Sequence, residues 1–137
     1  MSTKITGRAL HGGKAAGPII VLQAPVSFWG GFDPATGRII DQAHPDEGQS
    51  LSGAIVAMPG SRGSSGTPGV LGEALRRGTG PAALVVTKAD INLLAGVIVA
   101  EALYDRACPL LLVNEADFAT ITTANFATLT PDGTLTL

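Results

Sequence analysis

The residues of this 137-residue chain best suited to chemistry lie in the string Gly60-Ser61-Arg62-Gly63-Ser64-Ser65-Gly66. Three glycines free the backbone to turn N–H groups inward, and Arg62 offers a planar fork of donors for a carboxylate or phosphate. Ser64 and Ser65 bring hydroxyls to the same pocket, with Ser61 and Gly63 as further contacts for a bound anion. A helix expected over Gly69–Arg77, with Thr67 as its N-cap and Pro68 at its first position, adds the partial positive charge of its N-terminus. The composition is that of an anion-binding loop carrying a hydroxyl able to act as acid or base. Gly/Ser turns before helices are also common plain connectors, so the loop alone divides evenly between the two readings. It lacks the lysine of a phosphate-binding loop and the glycine spacing of a dinucleotide site, which disfavours ordinary nucleotide binding.

A second group is Trp29, Asp33 and His44, within sixteen residues of a Gly-punctuated segment that opens Ser27-Phe28-Trp29-Gly30-Gly31-Phe32-Asp33-Pro34-Ala35-Thr36-Gly37. Singly each has a bland role: a packing anchor, a turn starter before Pro34, a solvated residue before Pro45. Their concentration in one long irregular loop favours binding, and Asp33 and His44 join the candidate substrate contacts. His11, beside Gly12-Gly13, reads as a turn histidine, and Cys108 as a small buried hydrophobe.

The elements that must hold these residues are short. Thr3–Ala9, Pro18–Gln23 and Arg38–Asp41 read as strands, and Gly53–Met58 is a continuous apolar run of the kind buried on both faces of a sheet. Gly78 suits the stop of the helix ending at Arg77. Ala82–Thr87 reads as a strand, Asp90 as the N-cap of a helix to about Arg106, Pro109–Val113 as a strand, and Ala127–Leu137 as a hairpin turning at Pro131-Asp132-Gly133. Residues 1–137 form one domain in this reading, an α/β fold with a β-rich front and a parallel β/α middle.

Composition narrows the function classes. Hydrophobic residues make up 45% and charged residues 15%, enough to build a core and too little charge to cover every surface, so a partner-covered face is expected. Eighteen glycines and nine prolines argue against helical bundles. The net charge of −2, with no basic cluster, gives no footprint for nucleic acid. The longest apolar stretch, Leu93–Ala100, is too short for a membrane span, and the N-terminal segment has no signal-like apolar region, which makes the cytoplasm the default. One cysteine excludes an internal disulfide, and with two histidines it is a poor start for a metal site.

Several segments together resemble the swivel domain, or small subunit, of aconitase X. They are Ser27 to Asp41 (SFWGGFDPATGRIID), His44-Pro45, Ser61-Arg62-Gly63-Ser64-Ser65-Gly66, Gly78-Thr79-Gly80-Pro81-Ala82-Ala83 and Ile98-Val99-Ala100-Glu101, in order along residues 4 to 115. The resemblance implies a swivelling β/β/α domain paired in a heterodimer with a separate large subunit. It further implies a hydro-lyase, inactive without that partner, that dehydrates a small hydroxy acid using an iron–sulfur cluster held by the large subunit. A single cysteine agrees, since such a cluster needs more ligands than this chain offers. The resemblance puts the general base for the substrate proton at Ser64, with Ser65 second, and makes Arg62 a carboxylate clamp. Cis-3-hydroxy-L-proline is the first substrate it implies and mevalonate 5-phosphate the alternative. A stand-alone anion-binding or regulatory module is the reading from a different class.

Overall fold

The structure, a computed structural model, describes residues 3–61 and 65–137. Eight strands form one mixed sheet: β1 (Lys4–Thr6), β2 (Arg8–His11), β3 (Ala15–Val21), β6 (Ile55–Ala57), β7 (Ala83–Val86), β8 (Leu110–Leu112), β9 (Phe126–Leu129) and β10 (Thr134–Thr136). Their order is β1-β10-β9-β3-β6-β7-β8-β2, and the stretch β3-β6-β7-β8 is parallel. The two edge strands, β1 and β2, are consecutive in sequence and separated only by Gly7, so the sheet nearly closes on itself. The segment expected as one strand over Thr3–Ala9 is broken there for a steric reason. A side chain at Gly7 would lie 2.8 Å from the Leu112 carbonyl oxygen, and the Gly7 N–H donates to the Gly133 carbonyl at 3.0 Å.

The parallel strands explain their own sequence. On β6, Ile55 and Ala57 face one core while Val56 faces another, and on β7 Ala83 and Val85 alternate with Leu84 and Val86 in the same way. A strand buried on both faces must be apolar at every position. One core is enclosed by the sheet, with Ile5, Leu111, Leu129 and Leu135. The other lies under α2 (Thr67–Arg77), α3 (Ile91–Tyr104) and the segment 22–51. Each fully buried Leu, Ile or Phe there contributes about 1.5–3 kcal/mol.

The segment 27–50 contains α1 (Phe28–Gly31), a single distorted turn, and the two-stranded ribbon β4 (Phe32–Asp33) with β5 (Arg38–Ile39). Besides α1 and β4, which the sequence reading takes as irregular loop, it misses α4 (Glu115–Ile121), whose Ile121 closes the enclosed core. Its signal was available, since the Asn114 side chain accepts from the Asp117 N–H at 2.7 Å and Glu115 and Asp117 stand in the first turn.

Thr67 departs from its expected capping role. Gly66 holds the N-cap position with a nearly helical backbone (φ −80°, ψ −14°), so the helix begins one residue early and Thr67 turns into the interior. Its hydroxyl is fully buried, with no hydrogen-bond partner among the described residues. Asp90 does cap α3, and Gly78 does stop α2, in the left-handed conformation (φ 81°). Among the described residues no helix is long and apolar enough to cross a membrane.

Candidate active site

Ligands of open parallel sheets bind beyond the carboxyl ends of the strands. Here two such ends lie side by side, β6 running into the loop at 58–66 and β7 into the loop at 87–90. The two loops are fastened together. The Thr87 and Lys88 N–H groups donate to the Pro59 carbonyl at 3.3 and 3.1 Å, and the Ser61 N–H and hydroxyl donate to Asp90 Oδ2 at 3.1 and 2.6 Å. Helices α2 and α3 follow directly and pack closely. A side chain at Gly96 would press within 3.1 Å of Leu71 Cδ2 and 3.3 Å of Pro68 Cα, so glycine lets α3 approach the first turns of α2.

Of the sequence-predicted loop residues, Arg62, Gly63 and Ser64 lie outside the described residues. Ser61 and Ser65 flank them, Ser61 half-buried against Asp90 and Ser65 exposed. Neither α2 nor α3 carries an acid in its first turn, and the N-cap residue of α2, Gly66, has no side chain of its own, so the positive end of the α2 dipole faces the end of this loop. The arginines of α2 sit at its other end, where Arg76 and Arg77 donate to Glu73 at 2.6–3.0 Å and hold that half-buried carboxyl down at about 2.

The C-terminal end of the loop meets Trp29. The α1 turn breaks at Trp29 (ψ 114°) and Gly30 (φ 83°), which throws the indole outward, 63% exposed, onto the backbone of Gly66. A Cβ on Gly66 would stand 2.2 Å from Trp29 Cδ1. The Gly66 backbone suits any residue, so steric contact with Trp29 alone requires glycine there. Gly66→Ala is therefore expected to displace the indole and cost about 1 kcal/mol by overpacking. Trp29 is the chain's single tryptophan, so its fluorescence reports the change directly. The emission should shift in Gly66→Ala, and the stability loss should shrink when the substitution is made in a Trp29→Ala background. An unchanged spectrum would remove this contact from the site.

Asp33 and His44 lie apart from the serine loop's start and are engaged within their own segment. Asp33 accepts from the Ala35 N–H (3.0 Å) and the Thr36 hydroxyl (3.1 Å), and its neighbour Pro34 is fastened to Thr79 at the far end of α2, a helix about 16 Å long. His44 is buried, with Nδ1 accepting from the Asp46 N–H at 2.9 Å and Nε2 donating to the Ala24 carbonyl at 2.8 Å. Both ring nitrogens are thus used in shaping the loop. Sequence reasoning missed the second carboxylate oxygen of Asp90 and the Gly66–Trp29 contact; both depend on residues distant in sequence.

A model of the aconitase X swivel domain matches residues 4–137. The chain belongs to the aconitase X swivel-domain family. It is 42% identical over 120 residues to the cis-3-hydroxy-L-proline dehydratase of Hypocrea jecorina, covering 88% of this chain and 20% of that protein. The chain thus spans about a fifth of the length of that relative. It is 40% identical over 93 residues to the phosphomevalonate dehydratase small subunit of Methanothermobacter thermautotrophicus, covering 68% of this chain and 71% of that one. Among solved structures, a chain of Thermococcus kodakaraensis aconitase X in its holo-form superposes with a TM-score of 0.82 at 29% identity, covering 98% of both chains. The aconitase X swivel fold is therefore the mixed, nearly closed sheet described above.

An iron–sulfur cluster, which this family implies, does not fit the residues of this chain. Cys108 is the one cysteine; it is fully buried, and burial pushes its thiol up to about 12, far from the thiolate a cluster requires. Among the described residues no three His, Cys, Asp or Glu side chains gather as a metal site.

Proposed function

We propose that this chain is the swivel subunit of an aconitase X type hydro-lyase that dehydrates a small hydroxy acid, cis-3-hydroxy-L-proline. Its serine loop completes an active site shared with a separate large subunit, and that partner holds the iron–sulfur cluster. The observation that carries this reading is the position of the loop's described flanks. Ser61 and Gly66 stand at the carboxyl edge of β6, anchored by Asp90 and Trp29 and leading into the N-terminus of α2.

In this proposal Ser64 takes the proton from the carbon beside the substrate carboxylate, and the C–H electron pair becomes the new double bond as the neighbouring hydroxyl departs. Arg62 and the Gly63 amide hold the carboxylate, Ser61 spends its N–H and hydroxyl on Asp90 and so sets where the loop begins, and Ser65 is the second candidate for the base. A serine hydroxyl is a weak base at neutral pH unless positive potential stabilises its alkoxide; the N-terminus of α2 and Arg62 supply that potential. Asp33 and His44 act at a distance from substrate, by giving the 27–50 segment the shape that presents Trp29.

The length match with phosphomevalonate dehydratase small subunits favours one further reading, in which Arg62 and the loop amides face a phosphate. The deciding experiment is anaerobic assay of the complex with its large subunit on both substrates. Turnover of cis-3-hydroxy-L-proline supports the proposal; turnover of mevalonate 5-phosphate alone transfers it to the second reading, and turnover of neither overturns both.

A further inference from the structure

Asp90 does more than cap a helix. A capping side chain needs one acceptor oxygen, as the Asn114 cap of α4 illustrates with its single bond to the Asp117 N–H. Asp90 uses Oδ1 for that purpose, accepting from the Asn92 and Leu93 N–H groups at 3.0 and 3.1 Å. Its other oxygen is committed across the gap between the loops, accepting both the N–H and the hydroxyl of Ser61. Hydrogen bonds to an ionised acceptor are roughly twice as strong as neutral ones, and the 2.6 Å bond from Ser61 Oγ has the length of that class. Four donors on one carboxylate also absorb its negative charge, which would otherwise oppose an alkoxide or a bound anion nearby.

We propose that Asp90 is a positioning residue for the serine loop, locking the Ser61 end of that loop to the N-terminus of α3. The proposal rests on the serine-loop reading of the active site. It assigns Asp90 no contact with substrate: the carboxylate fixes where the loop begins, and a reacting group a few residues on is misplaced when that start is released. A misplacement of about 1 Å costs on the order of 10²-fold in rate.

Asp90→Asn separates the two duties. Asparagine caps a helix as well as aspartate does, so α3 keeps its start. The amide nitrogen that replaces Oδ2 cannot accept from the Ser61 N–H. In the complex with the large subunit, kcat on cis-3-hydroxy-L-proline, or on mevalonate 5-phosphate if that is the substrate turned over, should fall about 10- to 100-fold. KM and melting temperature should change little. Ser61→Ala should fall by less, and the double variant should be no worse than Asp90→Asn alone, because both remove the same tether. Amide exchange of the 15N-labelled full chain gives a readout independent of activity: the Ser61 N–H should exchange at least 10-fold faster in Asp90→Asn.

Ser64→Ala is measured alongside. If Ser64→Ala abolishes turnover while Asp90→Asn keeps kcat within twofold, or if Ser61 exchange is unchanged, the positioning role is overturned and the serine-loop reading survives. A near-normal Ser64→Ala and Ser65→Ala overturns that reading, and the positioning role with it. Loss of melting temperature in both tether variants without a change in kcat reduces the contact to a structural one and likewise overturns the proposal.

Discussion

Ser64→Ala, assayed in the complex with the large subunit, is expected to lower kcat by about 10²- to 10⁴-fold, the usual cost of losing a positioned general base. The substitution removes one hydroxyl from a loop whose flanks are held elsewhere, by Asp90 at Ser61 and by Trp29 at Gly66. Assembly, cluster content and KM should therefore persist. A hydroxyl that only tightened a turn would behave differently: its loss costs about 1 kcal/mol of stability and leaves the rate alone. Ser65→Ala is the internal comparison. A collapse in that variant with a near-normal Ser64→Ala would move the base to Ser65.

Gly37→Ala is expected to carry the largest cost in stability, and the reason also explains the DPATG string. Asp33 starts the turn, the Gly37 N–H donates back to the Asp33 carbonyl at 2.8 Å, and Gly37 occupies the left-handed region at φ 74°. A Cβ there would stand 2.2 Å from Ser52 Oγ and 2.5 Å from the Thr79 carbonyl oxygen. Those two groups are bonded to each other at 2.8 Å, and the Thr79 hydroxyl donates to the Pro34 carbonyl at 2.6 Å, so neither can yield freely. Left-handed strain of about 1–2 kcal/mol adds to overpacking of about 1–3 kcal/mol. A total near 3 kcal/mol lowers the melting temperature of a domain this size by about 10 °C. Gly53 also has positive φ (70°) but open space around it, so Gly53→Ala should show the strain alone. Equal losses in the two variants would show that the contact with Thr79 contributes nothing.

These residues also mark how far the sequence could be read. The β6–α2–β7–α3–β8 unit was legible because its signals are local: Ile55–Ala57 and Ala83–Val86 are apolar at every position, Asp90 and Gly78 are a cap and a stop, and Pro68 stands in the first turn. The closure of the sheet was not, since it depends on Gly7 meeting Gly133 more than a hundred residues away. In the candidate site, the DPATG and Gly78-Thr79-Gly80-Pro81 strings carried the family resemblance while giving no hint that they are two halves of one fastening. Asp90 was legible as a cap from its place before an apolar helix. Its grip on Ser61 was not, because no local pattern tells a carboxylate with one oxygen in use from one with both.

The central claim is a division of labour, with the serine loop on this chain and the cluster on its partner. Its most direct test is to purify the two subunits separately under anaerobic conditions, determine iron and sulfide in each, and measure dehydration of cis-3-hydroxy-L-proline for each alone and after mixing. The account predicts iron and sulfide on the large subunit only, and turnover that appears on mixing and saturates as this chain is added. A stoichiometric cluster on this chain alone, or full turnover by the large subunit without it, would contradict the account.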